Sequence, residues 1–293
     1  MSGKIRFAPS PTGYLHEGHL LSALYVWAAA KKWDLKIHLR IEDHDQSRAR
    51  PAYIAGIRED LKWLGFKYDS ESIQSARGPI YEAALQKLVD KSLVYPCYCS
   101  RKQLLAENPQ SETGEIIYQG KCFYRHEPSA VSHEVGPHNL RFIVPNKVID
   151  WHDLRLGDFH ENPKLQCGDF PIRDRDNQWT YQFAVCVDDI DEQITHIVRG
   201  EDIRNSTARQ IALMEALGRK ERAVYLHHPL IVDDNNKKLS KRELAHSLRQ
   251  DKEAGIPPEM LFGRVCHKAH LTESDSPITL IDAISIVMDQ IPT

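Results

Sequence analysis

Residues 4–8, Lys-Ile-Arg-Phe-Ala, form a short apolar run that ends at the turn-forming residues Pro9, Ser10, Pro11, Thr12 and Gly13. From Leu20 to Trp33 apolar positions recur with helical spacing among good helix formers, and Leu35 to Glu42 then alternates as a strand whose carboxyl end carries charge. Strand, turn, helix, strand is the order of a βαβ unit in a parallel sheet. Ligands of such sheets sit beyond the carboxyl ends of the strands, where strand order reverses, which puts residues 9–19 and Glu42 along one crevice.

Residues 53–65 and 80–94 read as amphipathic helices, the first closed by Gly65. A cysteine-bearing insert follows at about 95–126. Between about 140 and 200 short strands alternate with turns, Phe183–Asp189 (F-A-V-C-V-D-D) and Ile194–Asp202 being the last of them, so that Asp188 and Asp189 are expected to hold a turn after a strand. A helix at about 204–217 stops at Gly218 and leads into Tyr225–Val232, then into the basic turn Asn235–Arg242. Residues 246–293 are partly helical in pattern, with a Pro/Ser-rich interruption at Thr272–Pro277. The chain reads as an α/β fold without repeats or low-complexity tracts.

At 293 residues, 41% hydrophobic and 27% charged, the chain can bury a sizeable core. Its longest early apolar run, Leu20–Ala30, is too short to span a membrane and has no preceding basic region, so a cytoplasmic protein is expected. A net charge of −3 gives no global sign of nucleic-acid binding, and any RNA partner has to be argued from motifs. Six cysteines, three of them within Cys97–Cys122, fit a reduced chain with one metal site better than a disulfide framework; Cys167, Cys186 and Cys266 are expected to pack in the fold.

The turn after the first strand runs into His16-Glu17-Gly18-His19. A zinc-protease site needs histidines at i and i+4 within H-E-x-x-H, and these are at i and i+3. No G-x-x-x-x-G-K-[ST] phosphate loop occurs in the chain. A surface turn with incidental histidines would satisfy composition. Position argues otherwise, because a turn that opens a helix presents unpaired N–H groups to an anion and flanking imidazoles add donors. The segment reads as a nucleotide-phosphate site.

Taken with Lys238-Leu239-Ser240-Lys241-Arg242, the histidine motif resembles the paired H-I-G-H and K-M-S-K-S signatures of class I aminoacyl-tRNA synthetases. R-F-A-P-S-P-T-G at 6–13, L-R-I-E-D at 39–43, V-D-D at 187–189 and V-R-G-E-D at 198–202 resemble the glutamyl branch, so the likeness covers about residues 4–245. Glu17, Leu239 and Arg242 depart from the usual apolar residue, Met and Ser, while both lysines are kept.

The resemblance implies a Rossmann-like parallel-sheet catalytic domain with an inserted zinc-bearing subdomain and a short helical C-terminal segment. Its implied divisions are 1–94 and 181–245 for the two catalytic halves, 95–180 for the insert that meets the acceptor, and 246–293 for the C-terminal segment. Activation joins glutamate to ATP with Mg2+. His16, His19 and Lys241 would contact ATP, with Lys238 assisting; on composition alone the basic loop would be a solvated charge run. Arg6, Ser10, Glu42, Tyr181 and Arg199 would bind glutamate, the arginines through paired hydrogen bonds to a carboxylate and Glu42 near the ammonium group. One structural Zn2+ would take Cys97, Cys99 and Cys122, with Tyr118 as fourth ligand by resemblance and His126 as the chemically more ordinary competitor. One of His227 and His228 is expected to line the nucleotide pocket.

About fifty residues follow the lysine motif, too few for the helical anticodon-reading region of full glutamyl-tRNA synthetases. That length resembles the glutamyl-Q tRNA(Asp) synthetases, which attach glutamate to the base queuosine at the first anticodon position of tRNA(Asp), and a monomer is expected. The competing readings are a truncated glutamyl-tRNA synthetase that charges the tRNA end and a non-catalytic tRNA-binding paralogue.

Overall fold

A computed structural model describes residues 3–111, 114–125, 137–231 and 246–292. In chain order its elements are β1 (Lys4–Phe7), α1 (Glu17–Trp33), β2 (Lys36–Ile41), α2 (Pro51–Trp63), β3 (Ser70–Ile73), α3 (Gly78–Asp90), β4 (Val94–Cys97), α4 (Arg101–Glu107), β5 (Asn139–Phe142), β6 (Ile149–Asp153), β7 (Gly157–Glu161), α5 (Pro163–Gln166), β8 (Pro171–Arg173), α6 (Tyr181–Asp191), β9 (His196–Gly200), α7 (Thr207–Ala216), β10 (Val224–His228), α8 (Leu248–Glu253), α9 (Pro258–Lys268) and α10 (Leu280–Gln290). Among the described residues these build an α/β fold around a seven-stranded sheet of order β3-β2-β1-β9-β10-β6-β7, parallel except for the β6–β7 hairpin at one edge. A separate antiparallel sheet joins β4, β5 and β8. Of the span 95–180, β6 and β7 thus pair into the large sheet while β5 pairs with both β4 and β8 in the small one.

Strand order reverses between β1 and β9, the switch point at which an open parallel sheet leaves a crevice. The parallel register sets Arg6 beside His38 of β2 and Arg199 beside His227 of β10. Helix α1 crosses from β1 to β2 and is buried from Leu20 to Ala30 apart from Ser22, because the sheet covers one side and α9 and α10 the other. Three consecutive alanines, Ala28, Ala29 and Ala30, allow this two-sided contact. Leu261, Phe262, Val265 and Cys266 of α9 and Ala283 and Val287 of α10 belong to the same core cluster as α1. At about 1.5–3 kcal/mol for each large apolar side chain removed from water, α9 and α10 are integral to this core.

Three sequence expectations are corrected here. Phe183–Asp189 is not a strand; it lies within α6, whose residues from Phe183 to Asp189 are all buried. Enclosure on every side removes the polar stripe that marks a helix, and the continuous apolar run then looks like a core strand. Asp188 and Asp189 accordingly sit in a buried helix rather than a turn. The expected helix 80–94 stops at Asp90, and Val94 begins β4. Other limits moved less: α2 ends just before Gly65, which takes a left-handed φ of 83°, and α7 just before Gly218, with φ 102°. Cys167, Cys186 and Cys266 are buried, as expected.

Candidate active site

The start of α1 is built by histidines. His16 has extended backbone (φ −132°, ψ 177°) and caps the helix: its Nδ1 accepts from the Gly18 N–H at 3.1 Å, and its own N–H donates to His19 Nδ1 at 3.2 Å. This is a capping box with imidazoles in place of hydroxyl and carboxylate. Both Nδ1 atoms serve as acceptors, so the ring proton of each neutral imidazole lies on Nε2. Burial, with help from nearby His16, pushes His19 down to about 3, so at neutral pH it is an uncharged donor. The helix therefore opens on N–H groups and imidazole donors, a site for an anion.

His19 lines two adjoining cavities. The larger, about 790 Å3, is also bordered by Ser10, Thr12, Tyr14, His16, Arg48 and Arg249. The smaller, about 100 Å3, is bordered by Arg6, His19, Ser22, Glu42, Tyr181 and Arg199 among others, at the carboxyl ends of β1, β2 and β9. The structure thus gathers four of the five expected glutamate-binding residues in one small cavity. Ser10, the fifth, is exposed and borders the larger cavity beside His16 and His19. Lys238, Lys241 and His126 lie outside the described residues.

The two arginines of the small cavity are held differently. Arg6 donates from Nε to Asp189 Oδ1 at 3.1 Å and from Nη1 to the Val198 carbonyl at 3.2 Å. Arg199 donates to His227 Nε2 at 3.0 Å, Gln210 Oε1 at 2.7 Å and Thr207 Oγ1 at 2.8 Å, so these partners are all neutral. Burial lowers the pKa of His227, while its Nδ1 donates to Asp153 Oδ2 at 2.7 Å, leaving Nε2 as the acceptor for Arg199. Burial works against the Asp153 carboxylate, yet its bonds from His227 and from the N–H groups of Arg155 and Leu156 hold its pKa below the usual range. A guanidinium only 5% exposed and bonded to neutral groups leaves its charge to be met by an anion.

Glu42 is the complementary group. It is 5% exposed, and among the described residues the cation paired with it is Arg40, whose Nη1 lies at 3.7 Å. Burial raises its pKa from 4.5 to about 7 against the pull of Arg40 and Arg6. Beneath it, the fully buried Arg40 pairs with Asp189 and with Glu192 at 2.8 Å. Arg77 pairs with Asp188 at 2.7 Å and Asp191 at 2.7 Å. Desolvating so many charges costs several kcal/mol per ion unless each is paired. The network fixes α6 to β1, β2 and α3 and so sets the positions of Arg6, Glu42 and Tyr181. Asp189 is in this way a support of the site whose partners, Arg6 and Arg40, lie about 150 residues or more away in sequence.

Neither His227 nor His228 borders these cavities. His227 stands behind Arg199, and His228 stacks on Tyr25 with ring centres 5.0 Å apart. Arg48 and Arg249, beside the larger cavity, had no motif to single them out, and neither did Thr207 and Gln210 behind Arg199.

A second cluster lies beside the small sheet, at the end of β4. The Sγ atoms of Cys97, Cys99 and Cys122 are buried and within 4.8 Å of one another, the group among the described residues that could hold a metal ion. Tyr118 Oη lies 3.6 Å from Cys97 Sγ and 3.8 Å from Cys99 Sγ, and it accepts the Cys122 N–H at 2.8 Å. Three thiols and a phenol oxygen converging on one point make a donor set suited to a four-coordinate soft cation. Tyr118 is seated by Gly168: a Cβ there would lie 2.0 Å from the Tyr118 carbonyl oxygen, and its φ is 64°.

Residues 4–286 match the family model of the class I tRNA synthetases (E and Q), catalytic domain. The chain belongs to this family. A glutamate–tRNA ligase of Aquifex aeolicus is 40% identical over 270 residues, which are 90% of this chain and 56% of that protein; the chain thus spans about half the length of this relative. Among solved structures, a glutamate-tRNA synthetase from Elizabethkingia anophelis superposes with a TM-score of 0.80 at 26% identity, over all of this chain and 67% of its own. A glutamate tRNA ligase from Elizabethkingia meningosepticum, solved with its amino acid, gives 0.79 at 27% identity, over all of this chain and 66% of its own. Among the described residues no helix is long and apolar enough to cross a membrane.

Proposed function

We propose that this protein activates glutamate with ATP and transfers it to the queuosine base at the first anticodon position of tRNA(Asp). The observation that carries the activation step is the small cavity. It sets two buried guanidiniums, one of them held by neutral groups alone, across from a buried carboxylate with a raised pKa. That pattern is the complement of an amino acid with an acidic side chain: Arg6 and Arg199 receive carboxylate charge, and Glu42 receives the ammonium group. The name of the Aquifex relative agrees with glutamate.

In activation, the α-carboxylate of glutamate attacks the α-phosphorus of ATP. A carboxyl–phosphate anhydride forms, the bond to the β-phosphate breaks, and pyrophosphate leaves with that electron pair. Charge grows on oxygens that the helix start and the Nε2–H donors of His16 and His19 can stabilise. By resemblance, Lys241, assisted by Lys238, supplies cations to the same charge, and Mg2+ enters with ATP. A hydroxyl of the queuosine ring then attacks the activated carbonyl and AMP departs, a step made efficient by holding both reactants together. Cys97, Cys99, Tyr118 and Cys122 would hold one zinc ion, which would brace the small sheet without entering the reaction.

The choice of acceptor rests on the resemblance to the glutamyl-Q tRNA(Asp) synthetases; residues 247–291 fold back on α1 and belong to the catalytic core. The decisive experiment has two stages. Glutamate-dependent ATP–pyrophosphate exchange without tRNA tests activation. Transfer of labelled glutamate to tRNA(Asp) carrying queuosine or guanosine at the first anticodon position then tests the acceptor. Label on the queuosine form alone, surviving removal of the terminal adenosine, is the expected result. Label lost with that adenosine, or found on tRNA(Glu), makes this an end-charging synthetase.

A further inference from the structure

Glu17 stands where the family resemblance expects an apolar residue, in the middle of the histidine motif and at the first position of α1. A carboxylate there is favourable to the helix itself, yet it adds negative charge beside a site read as binding phosphates. The structure shows what meets that charge. Glu17 Oε2 accepts from Lys268 Nζ at 2.7 Å, and Oε1 lies 2.7 Å from Arg264 Nε, close enough for strong attraction though not aligned as a hydrogen bond. Arg264 and Lys268 are one turn apart on α9.

The chain of charges goes further. Arg264 Nη2 donates to Asp251 Oδ2 at 2.8 Å, and Asp251, 1% exposed, has Oδ1 2.9 Å from His246 Nε2. The backbone makes the same connection: His16 bridges to Ser247, and the Leu248 N–H donates to the Leu15 carbonyl at 2.8 Å. Residues 246–251 follow the lysine motif in sequence. Glu17, Asp251, Arg264 and Lys268 carry two negative and two positive charges and sum to zero.

We infer that Glu17, Asp251, Arg264 and Lys268 form a neutral tether that holds the phosphate-binding start of α1 against α9 and masks the Glu17 carboxylate from the bound triphosphate. α9 supplies the cations that make Glu17 compatible with ATP. The inference rests on the ATP reading proposed above.

The test uses pyrophosphate exchange by the full chain, with melting followed in parallel. Arg264→Met with Lys268→Met unmasks the carboxylate, and KM for ATP is expected to rise roughly three- to tenfold, with the rise shrinking as salt screens it. KM for glutamate should move less than twofold. Adding Glu17→Gln to that pair removes the unmasked carboxylate on the helix start, while Asp251 keeps its contact with His246, and should bring KM for ATP back to within about twofold of the unaltered protein. A structural role alone gives the opposite: a lower melting temperature with KM for ATP unmoved, or a third substitution that worsens the defect. Either result overturns the inference. If the paired variant does not melt cooperatively, Lys268→Met, whose side chain is 42% exposed, serves for the same comparison. Absence of glutamate-dependent exchange in the unaltered protein overturns the ATP reading and the tether's role together, whereas normal exchange with an unmoved KM in the variants overturns the tether alone.

Discussion

Glu42→Gln separates binding from stability at a single atom pair. In the folded protein Glu42 titrates near 7 instead of 4.5, chiefly because burial disfavours its ionised form. A carboxyl whose folded pKa is raised binds its proton more tightly when folded. Its ionisation therefore costs stability, beginning above pH 4.5 and reaching full size above about 7. A rise from 4.5 to about 7 corresponds to on the order of 3 kcal/mol. Glutamine removes that charge, so the variant should melt roughly 5–10 °C higher at pH 8. The gain should fade as pH falls through 7 toward 4.5. Binding runs the other way. Only ionised Glu42 attracts the ammonium group, and its ionised fraction falls from about nine-tenths at pH 8 to about one-tenth at pH 6, so apparent glutamate affinity should fall about tenfold across that range. Glutamate binding by titration calorimetry, together with melting curves over the same pH series, measures both effects. The variant should bind weakly with little pH dependence. A variant that melts lower at pH 8, or that keeps the tenfold slope in affinity, would refute the reasoning.

Other expected outcomes follow from the same geometry. Arg199→Lys keeps the charge but loses the fork held by Gln210, Thr207 and His227, so KM for glutamate in pyrophosphate exchange should rise by about thirtyfold or more, at roughly 2 kcal/mol for the lost paired contacts. Asp189→Asn leaves Arg6 and Arg40 with a neutral partner in a buried network, and chemical denaturation should show a loss of about 3–5 kcal/mol. Gly168→Ala forces a Cβ against the Tyr118 carbonyl and should displace that side chain, lowering bound zinc per chain by elemental analysis while leaving KM for ATP within about twofold. Removal of zinc by a chelator should lower the melting temperature of the unaltered protein, with a smaller effect on pyrophosphate exchange than on transfer to tRNA.

How much of this was legible before the structure depends on whether a residue's partners are local. The strand, turn and helix around His16 and His19 could be read because their signal lies within about thirty consecutive residues: an apolar run, a Pro/Gly turn, then helical spacing. The thiol cluster was legible because cysteines are few and rarely placed without chemical reason. Phe183–Asp189 was misread for a physical cause: a helix enclosed on all sides has no polar face, so periodicity carries no information there. The aspartates inside it show the deeper limit. Asp188 looks solvent-facing on composition, yet it is buried against Arg40, Arg77, Gln74 and Tyr81, none of them within a hundred residues of it.

Glu17 is the sharpest instance. In the sequence it is a departure from a motif, with nothing nearby to explain it, because Arg264 and Lys268 follow more than 240 residues later. Once α9 is packed on α1, the substitution and its two cations form one unit. A charged residue at an otherwise apolar motif position is tolerable only where opposite charges arrive with the fold, as Arg264 and Lys268 do here. Glu17→Ile alone would leave those cations without their carboxylate at the edge of the phosphate site. The same Coulomb argument that raises KM for ATP when the cations are removed predicts that this single change lowers it. The two variants must therefore move KM for ATP in opposite directions, which loss of packing alone would not do.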